Sequence, residues 1–371
     1  MTYKLVWVEI DLDIIAANFY RIKKLLQGST KLLAVVKADA YGHGALPVAR
    51  TLAAAGADYL AVATADEALA LREGGIEISI LVLNTGLPDG QEEVLVRYGV
   101  TQTVSTLELA AAIDRAACKL HKKGLAHLKV ETGMGRLGIG VEEVPAFLRA
   151  VGPYRGLYLE GIYSHFAVAD EDTAAHCQYT YEQYNRFRQA LAAFSPSGQG
   201  RPRAHIANSA AILNYPQFHL DMVRAGCIIY GFYPRGDEKE RKLLKLVPAL
   251  TWKTVVVHAG PVTDGQRLAV LPVGRSHGLP PSAREVLVGG RRVRVCKVAL
   301  DHCVVAVPQD VGITPGVEVV LLGKQGEEEI PAEEVAGWAG TITEEITCRL
   351  GNLPHIYKGG AKGPVIKDGD R

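Results

Sequence analysis

Up to about residue 230 the chain alternates short apolar runs with longer Ala- and Leu-rich stretches whose apolar positions recur at helical spacing. The runs are 32–36 (LLAVV), 59–63 (YLAVA), 78–84 (ISILVLN), 101–105 (TQTVS), 126–131 (AHLKVE), 159–165 (LEGIYSH), 203–208 (RAHIAN) and 222–226 (MVRAG). Stretches between them, such as 45–56, 65–75, 107–124 and 176–194, read as amphipathic helices. Eight strands alternating with helices predict a parallel (β/α)8, TIM-like barrel. After about residue 245 the runs shorten, gain Val and Thr, and are punctuated by Gly and Pro, which predicts a mainly β domain. The doublet Gly289–Gly290 between two alternating runs marks a hairpin, and 331–340 (PAEEVAGWAG) is the one helix expected there. The fold class is therefore α/β, with a barrel over 12–236 and a C-terminal mainly-β domain over 237–371. The charged stretch 233–242 (YPRGDEKERK) marks the boundary. Residues 1–11 form a first strand expected to pair with the β domain, and the Gly-rich end from Tyr357 onward reads as frayed.

Composition narrows the function classes. A length of 371 residues exceeds one ordinary core. With 41 basic and 40 acidic side chains the net charge is +1, so no clustered positive footprint for nucleic acid is expected. No apolar run is long enough to span a membrane, and the start, MTYKLVWVEIDLD, lacks a signal-peptide core. The six cysteines (118, 177, 227, 296, 303 and 348) show no CxxC pair and no metal spacing. A cytoplasmic protein with reduced thiols, no metal, and neither a nucleic-acid nor a membrane partner is the expectation.

A barrel carries its chemistry at the C-terminal ends of its strands. The first run ends on Lys37, with Tyr41 after it; the fifth holds Lys129 and leads into a Gly-rich loop with Arg136; the sixth ends on His165. The seventh ends on Asn208 and Ser209, and the eighth holds Arg224, Gly226 and Cys227, with Tyr230 beyond. Singly, each has an ordinary reading: a solvated lysine, a turn, a satisfied core histidine. Together they line one rim. A lysine amine forms a Schiff base with a carbonyl, and backbone N–H groups and hydroxyls hold a phosphate. An arginine can face a pyridine nitrogen. The inventory is that of a pyridoxal 5′-phosphate site acting on a small molecule.

These same segments carry a resemblance. AVVKADAYGHGA (34–45), HLKVETGMGRLG (127–138), IYSHFAVADE (162–171), HIANSAA (205–211), DMVRAGCIIYG (221–231) and EVAGWAGTITEEITCRL (334–350) are similar to segments of bacterial alanine racemases, in the same order. The resemblance covers nearly the whole chain and is most specific in the barrel. It implies racemisation of alanine, with Lys37 holding pyridoxal 5′-phosphate and serving as one base. It places Tyr41, Ser209, Gly226 and Cys227 at the phosphate, with Asn208 and Tyr230 nearby, and Arg224 at the pyridine nitrogen. His165 would orient Arg224 and lie against the cofactor ring, Arg136 would reach the cofactor's phenolic oxygen and the substrate carboxylate, Leu300 would meet the substrate, and Lys129 matches a lysine that is carbamylated in some members. A head-to-tail homodimer is implied as well.

The match fails in the second half. The family's second base is a tyrosine in an SYGATY-like segment supplied by the partner, and nothing here resembles it; after residue 245 the chain has one tyrosine, Tyr357. A GYADG-like stretch reads GRSHG (274–278), CMD reads Ala299, Leu300, Asp301, and a phosphate-binding tyrosine is replaced by Glu344. Three readings follow. His277, His302 or Cys303 replaces the missing base in a racemase, with His277 taken as catalytic. Alternatively, Lys37 acts alone in a decarboxylase, a lyase or a one-base isomerase. In the third reading the protein holds the cofactor without catalysis.

Overall fold

Each predicted apolar run in the first half becomes a strand. The computed structural model describes residues 4–86, 89–194, 201–263, 265–360 and the strand Ile366–Lys367. After a first strand β1 (Val6–Asp11) come eight parallel strands: β2 (Lys31–Val35), β3 (Tyr59–Val62), β4 (Ser79–Thr85), β5 (Thr101–Val104), β6 (Gly124–Glu131), β7 (Leu157–Tyr163), β8 (Arg203–His205) and β9 (Met222–Ala225). They pair in the order β9-β2-β3-β4-β5-β6-β7-β8. The ring is closed by two backbone bonds, Arg224 N–H to the Ala207 carbonyl at 2.9 Å and Asp221 N–H to that of Ala204 at 3.2 Å. Strands such as β3 and β9 are buried on both faces, which is why they read as unbroken apolar runs. The helices between them start where the sequence offers a cap. Thr64 and Glu67 form a reciprocal capping box, and Thr106 and Thr173 cap Leu107–Leu120 and Ala174–Ala192.

The β-rich unit is built on β10 (Leu250–Val255), β11 (His258–Thr263), β12 (Gln266–Leu271), β13 (Glu285–Val288), β14 (Arg291–Val298), β15 (Cys303–Pro308), β16 (Glu318–Gln325) and β17 (His355–Lys358). Its sheet runs β11-β12-β15-β14-β13-β16-β10-β1-β17. β1 lies antiparallel to β10 and parallel to β17. The β13–β14 hairpin turns at Gly289 and Gly290, with φ of 59° and 74°, a pair of left-handed residues that glycine adopts without strain. A second helix, Thr343–Cys348, follows the expected Ala332–Ala339. Tyr357 is not in a frayed end. It is a fully buried residue of β17.

By contacts the chain divides into a unit of 1–16, 38–51 and 247–371 and a unit of 17–37 and 52–246. The charged stretch expected as a linker stays with the barrel to residue 246, because Glu240 is fully buried. Its carboxylate accepts from Asn214 Nδ2 at 2.9 Å and from the N–H groups of Arg235 and Gly236 at 3.0 and 3.1 Å.

Directly after Lys37 the backbone makes a left-handed turn. Ala38, Asp39, Ala40 and Tyr41 all have φ between 52° and 55°. L-residues adopt this at a cost of roughly 1–2 kcal/mol each, so the surroundings must impose it. Asp39 Oδ1 accepts from Ala45 N–H at 2.6 Å, His43 Nδ1 lies 3.1 and 3.0 Å from the Ala40 and Tyr41 carbonyls, and His355 Nε2 lies 2.9 Å from that of Gly42. A Cβ on Gly44 would fall 1.8 Å from the Tyr357 hydroxyl, so only glycine fits there. Burial, reinforced by His355, drives His43 down to about 3. Unfolded His43 takes a proton below about 6.5, and folded His43 refuses it until about 3. Stability is therefore complete above about 6.5 and lost progressively below it. At about pH 5 this residue alone is expected to remove about 2 kcal/mol relative to neutral pH, read as a lower urea midpoint at constant slope.

Candidate active site

Lys37 stands where β2 ends. The last strand-like bond is Val36 N–H to the Ala61 carbonyl at 2.8 Å, and Lys37 is half-buried beyond it, with Tyr41 on the left-handed turn that follows.

Arg224, only 4% exposed, organises the polar groups at the ends of β7 to β9. Its Nη2 donates to the Ser164 carbonyl at 2.7 Å and the Ile206 carbonyl at 3.2 Å, and lies 3.1 Å from His165 Nδ1. Its Nη1 lies 2.9 Å from His205 Nδ1 and donates to the His205 carbonyl at 3.3 Å. Arginine only donates, so both imidazole Nδ1 atoms accept and carry no proton. Nε–H has no acceptor among the described residues and is the donor left for a ligand. Burial lowers Arg224 to about 10, which leaves it charged at neutral pH. Among the described residues no carboxylate touches it. His165 is held well below the usual histidine range by burial and then by the charges of Arg224, Lys129, Arg136 and Lys37, so it is neutral.

Lys129 is buried on β6, with Nζ 4.4 Å over the Tyr163 ring. Burial and then Arg224 and Arg136 push it well below the usual lysine range, against the opposing pull of Glu131. The Tyr163 hydroxyl donates to the Leu83 carbonyl at 3.0 Å. Arg136 is exposed in the loop after β6, and that loop is folded around Glu131. The Glu131 carboxylate accepts the N–H groups of Gly133, Met134 and Arg136.

At the far side of the rim, Gly226 N–H donates to Ser209 Oγ at 2.9 Å, and Asn208 Oδ1 caps the helix Ser209–Asn214 by accepting from Ala211 N–H at 3.0 Å. This joins the start of that helix to the start of the 3-10 turn Cys227–Tyr230, where backbone N–H groups collect. Tyr230 is fully buried, and its hydroxyl donates to the Val35 carbonyl at 2.8 Å, which ties the turn to the end of β2.

In the β-rich unit, GRSHG forms a single turn, Arg275–His277. Arg275 N–H donates to the Ala299 carbonyl at 3.0 Å and Ser276 N–H to that of Leu300 at 2.8 Å. Gly274 is obligatory: a Cβ there would lie 2.6 Å from the Leu300 carbonyl oxygen. His277 is half-buried, its Nδ1 lies 3.2 Å from Gly274 N–H, and burial lowers its affinity for a proton against the pull of Asp301. His302 Nδ1 and Asp301 Oδ1 are 2.9 Å apart at the surface, beside Leu300, which is 62% exposed. Cys303 is fully buried, and burial pushes its thiol up to about 12. Burial and Asp39 likewise raise the Tyr357 phenol, and Gly44 covers it. Glu344 makes no side-chain hydrogen bond or ion pair among the described residues.

Four polar residues of this region escape sequence reasoning: Glu131, Tyr163, His127 and His205. Period-two alternation was the available signal, since His127 shares a strand face with Lys129, and Tyr163 with His165. The donor set as a whole fits pyridoxal 5′-phosphate. It offers an amine at a strand end, an uncommitted arginine N–H, and paired helix starts with a hydroxyl for a phosphate. Among the described residues no cluster of His, Cys, Asp or Glu is placed to hold a metal, and no helix is long and apolar enough to cross a membrane.

Residues 10–234 match the family description "Alanine racemase, N-terminal domain", and 258–357 match "Alanine racemase, C-terminal domain". The chain belongs to the alanine racemase family. It is 40% identical to the alanine racemase of Desulforamulus reducens, over 95% of this chain and 99% of that protein. The alanine racemase of Halothermothrix orenii is 38% identical, over 95% and 96%. Among solved structures, alanine racemase from Clostridium difficile 630 in complex with cycloserine superposes with a TM-score of 0.91 at 34% identity, covering 99% of each chain. The enzyme from Bacillus anthracis with bound L-Ala-P gives 0.88 at 34%, covering 99% and 98%. Membership of this family makes the protein a pyridoxal-phosphate-dependent isomerase and accounts for a barrel followed by a mainly-β domain.

Proposed function

We propose that the protein racemises alanine with pyridoxal 5′-phosphate held at Lys37. The observation that carries this is Arg224, buried, charged and fastened through both Nη atoms so that Nε–H alone is offered outward. When bound, the cofactor draws electrons from the substrate and makes the Cα proton acidic. Lys37 moves that proton on one face. Arg224 cannot surrender its own proton, so it would leave a pyridine nitrogen placed against it unprotonated. His165 orients Arg224. Tyr41, Ser209 and the backbone of Gly226 and Cys227 bind the phosphate, with Asn208 and Tyr230 holding those turns. Arg136 binds the substrate carboxylate, and Leu300 meets the substrate. Lys129, whose burial favours the neutral amine that reacts with carbon dioxide, carries a carbamate that steadies Arg136.

The family's tyrosine is absent, so the opposite face needs another group. His277 supplies it, with Asp301 and His302 alongside. The site is completed in a head-to-tail homodimer in the cytoplasm, where the described cysteines, all free thiols, stay reduced. Replacing His277 with Asn is expected to lower kcat roughly 10²–10⁴-fold with little change in cofactor binding, measured as inversion of L-alanine. Unchanged kcat would remove His277 from this role.

A further inference from the structure

A row of buried polar groups continues from Arg224 toward the N-terminal end of the barrel. Arg224 Nη1 is 2.9 Å from His205 Nδ1, and His205 Nε2 is 2.9 Å from His127 Nδ1. His127 Nε2 has no hydrogen-bond partner among the described residues and faces Glu160 Oε1 at 3.7 Å. The row has one direction. Arginine only donates, so His205 Nδ1 is bare and its proton sits on Nε2. His127 Nδ1 must then accept, and its own proton sits on Nε2, pointing at a carboxylate that only accepts. Both rings are fully buried, and burial holds both below the usual histidine range, hence neutral.

Three features show that the row is built rather than incidental. A Cβ on Gly161 would lie 2.5 Å from His127 Nε2, so glycine is what lets the ring rest on β7. The β6–β7 register shifts between Ala126, paired with Leu159, and His127, paired with Gly161. Glu160 is therefore an extra, bulged residue, and a bulge re-aims its side chain. Its carboxylate is then gripped by Thr101 Oγ1 at 2.8 Å, Arg203 Nη1 at 3.1 Å and the Tyr59 hydroxyl at 3.3 Å.

We propose that Glu160 is a positioning residue for the reaction at the other end of the barrel: through His127 and His205 it fixes the Nη1 side of Arg224 and provides the negative charge that answers the buried guanidinium. The consequence for turnover rests on the function proposed above for Arg224. The chain of imidazoles serves where a carboxylate placed directly against Arg224 would compete for the N–H the ligand needs.

Two measurements test this. Nitrogen-15 spectra of histidine-labelled protein, with no cofactor added, are expected to show His205 and His127 neutral at pH 7, each with bare Nδ1 and protonated Nε2. A proton on Nδ1 of either ring, or a charged ring, overturns the row. In the loaded enzyme, Glu160→Gln keeps an acceptor and removes the charge, while Gly161→Ala displaces the His127 ring and removes none. Each is expected to lower kcat at least ~10-fold with KM for alanine within ~2-fold, the size of one lost charge-assisted contact. In a His205→Leu background, where the row is already cut, Glu160→Gln should cost less than ~2-fold more. Equal losses in both backgrounds, or full kcat in Glu160→Gln, overturn the positioning role. The expected tautomers in a protein that inverts no alanine would overturn the proposed function and the positioning role with it; wrong tautomers in an active enzyme would overturn only the row.

Discussion

Replacing Lys37 with alanine is expected to lower alanine racemisation by at least roughly 10²–10⁴-fold, the range for loss of one positioned base. The true loss should lie at the upper end, because the same amine is the covalent anchor for the cofactor. The fold should survive. Lys37 is half-buried at a strand end, and the backbone bonds that end β2 do not use its side chain. Circular dichroism and the urea midpoint should stay near those of the parent protein. Borohydride reduction of the loaded parent should attach pyridoxal phosphate to residue 37 by mass spectrometry. The variant should carry no label at any lysine, and label on Lys129 would contradict the assignment.

Replacing Arg224 with methionine is expected to damage both stability and rate. The guanidinium is the donor for the carbonyls of Ser164, His205 and Ile206 and for two imidazole nitrogens. A buried acceptor left unpaired costs about 1–3 kcal/mol. With two such groups stranded and the rest relaxing, the loss is about 2–6 kcal/mol, seen as a lower urea midpoint. Removing a preorganised donor at the reacting ring costs roughly 10²–10³-fold in kcat. Arg224→Lys keeps the charge but offers a single donor centre in place of a fork, so it should recover part of the stability and little of the rate. A methionine variant with parental kcat would show that Arg224 only braces the barrel.

How far the molecule was legible varies by element. The barrel strands were clear because most carry a short apolar run that stops at a polar residue, as β2 does at Lys37. Arg224 and His165 could be placed on one rim from strand ends alone, and the structure brings them to 3.1 Å. Glu160 was not legible, since a bulge in β7 shifts it against the alternation that would have put it outside. Glu240 was read as part of a charged linker because a charge run carries no mark that one member is buried and hydrogen-bonded. Tyr357 was misplaced because the glycines after it resemble a loose end, whereas β1 pairs with it from the other end of the chain. The left-handed turn at 38–41 could not be foreseen: its residues are ordinary L-residues, and the contacts that impose it come from Ala45 and from His355, more than 300 positions away.

The central claim is that proton transfer occurs on both faces of alanine although the family's tyrosine is missing. The most direct test is to incubate the pyridoxal-phosphate-loaded protein with L-alanine in heavy water and follow Cα deuterium and D-alanine in one sample. The account predicts D-alanine carrying deuterium, accumulating until the two isomers are equal. Deuterium in alanine that keeps its L configuration would contradict it, since only the Lys37 face would then be in use.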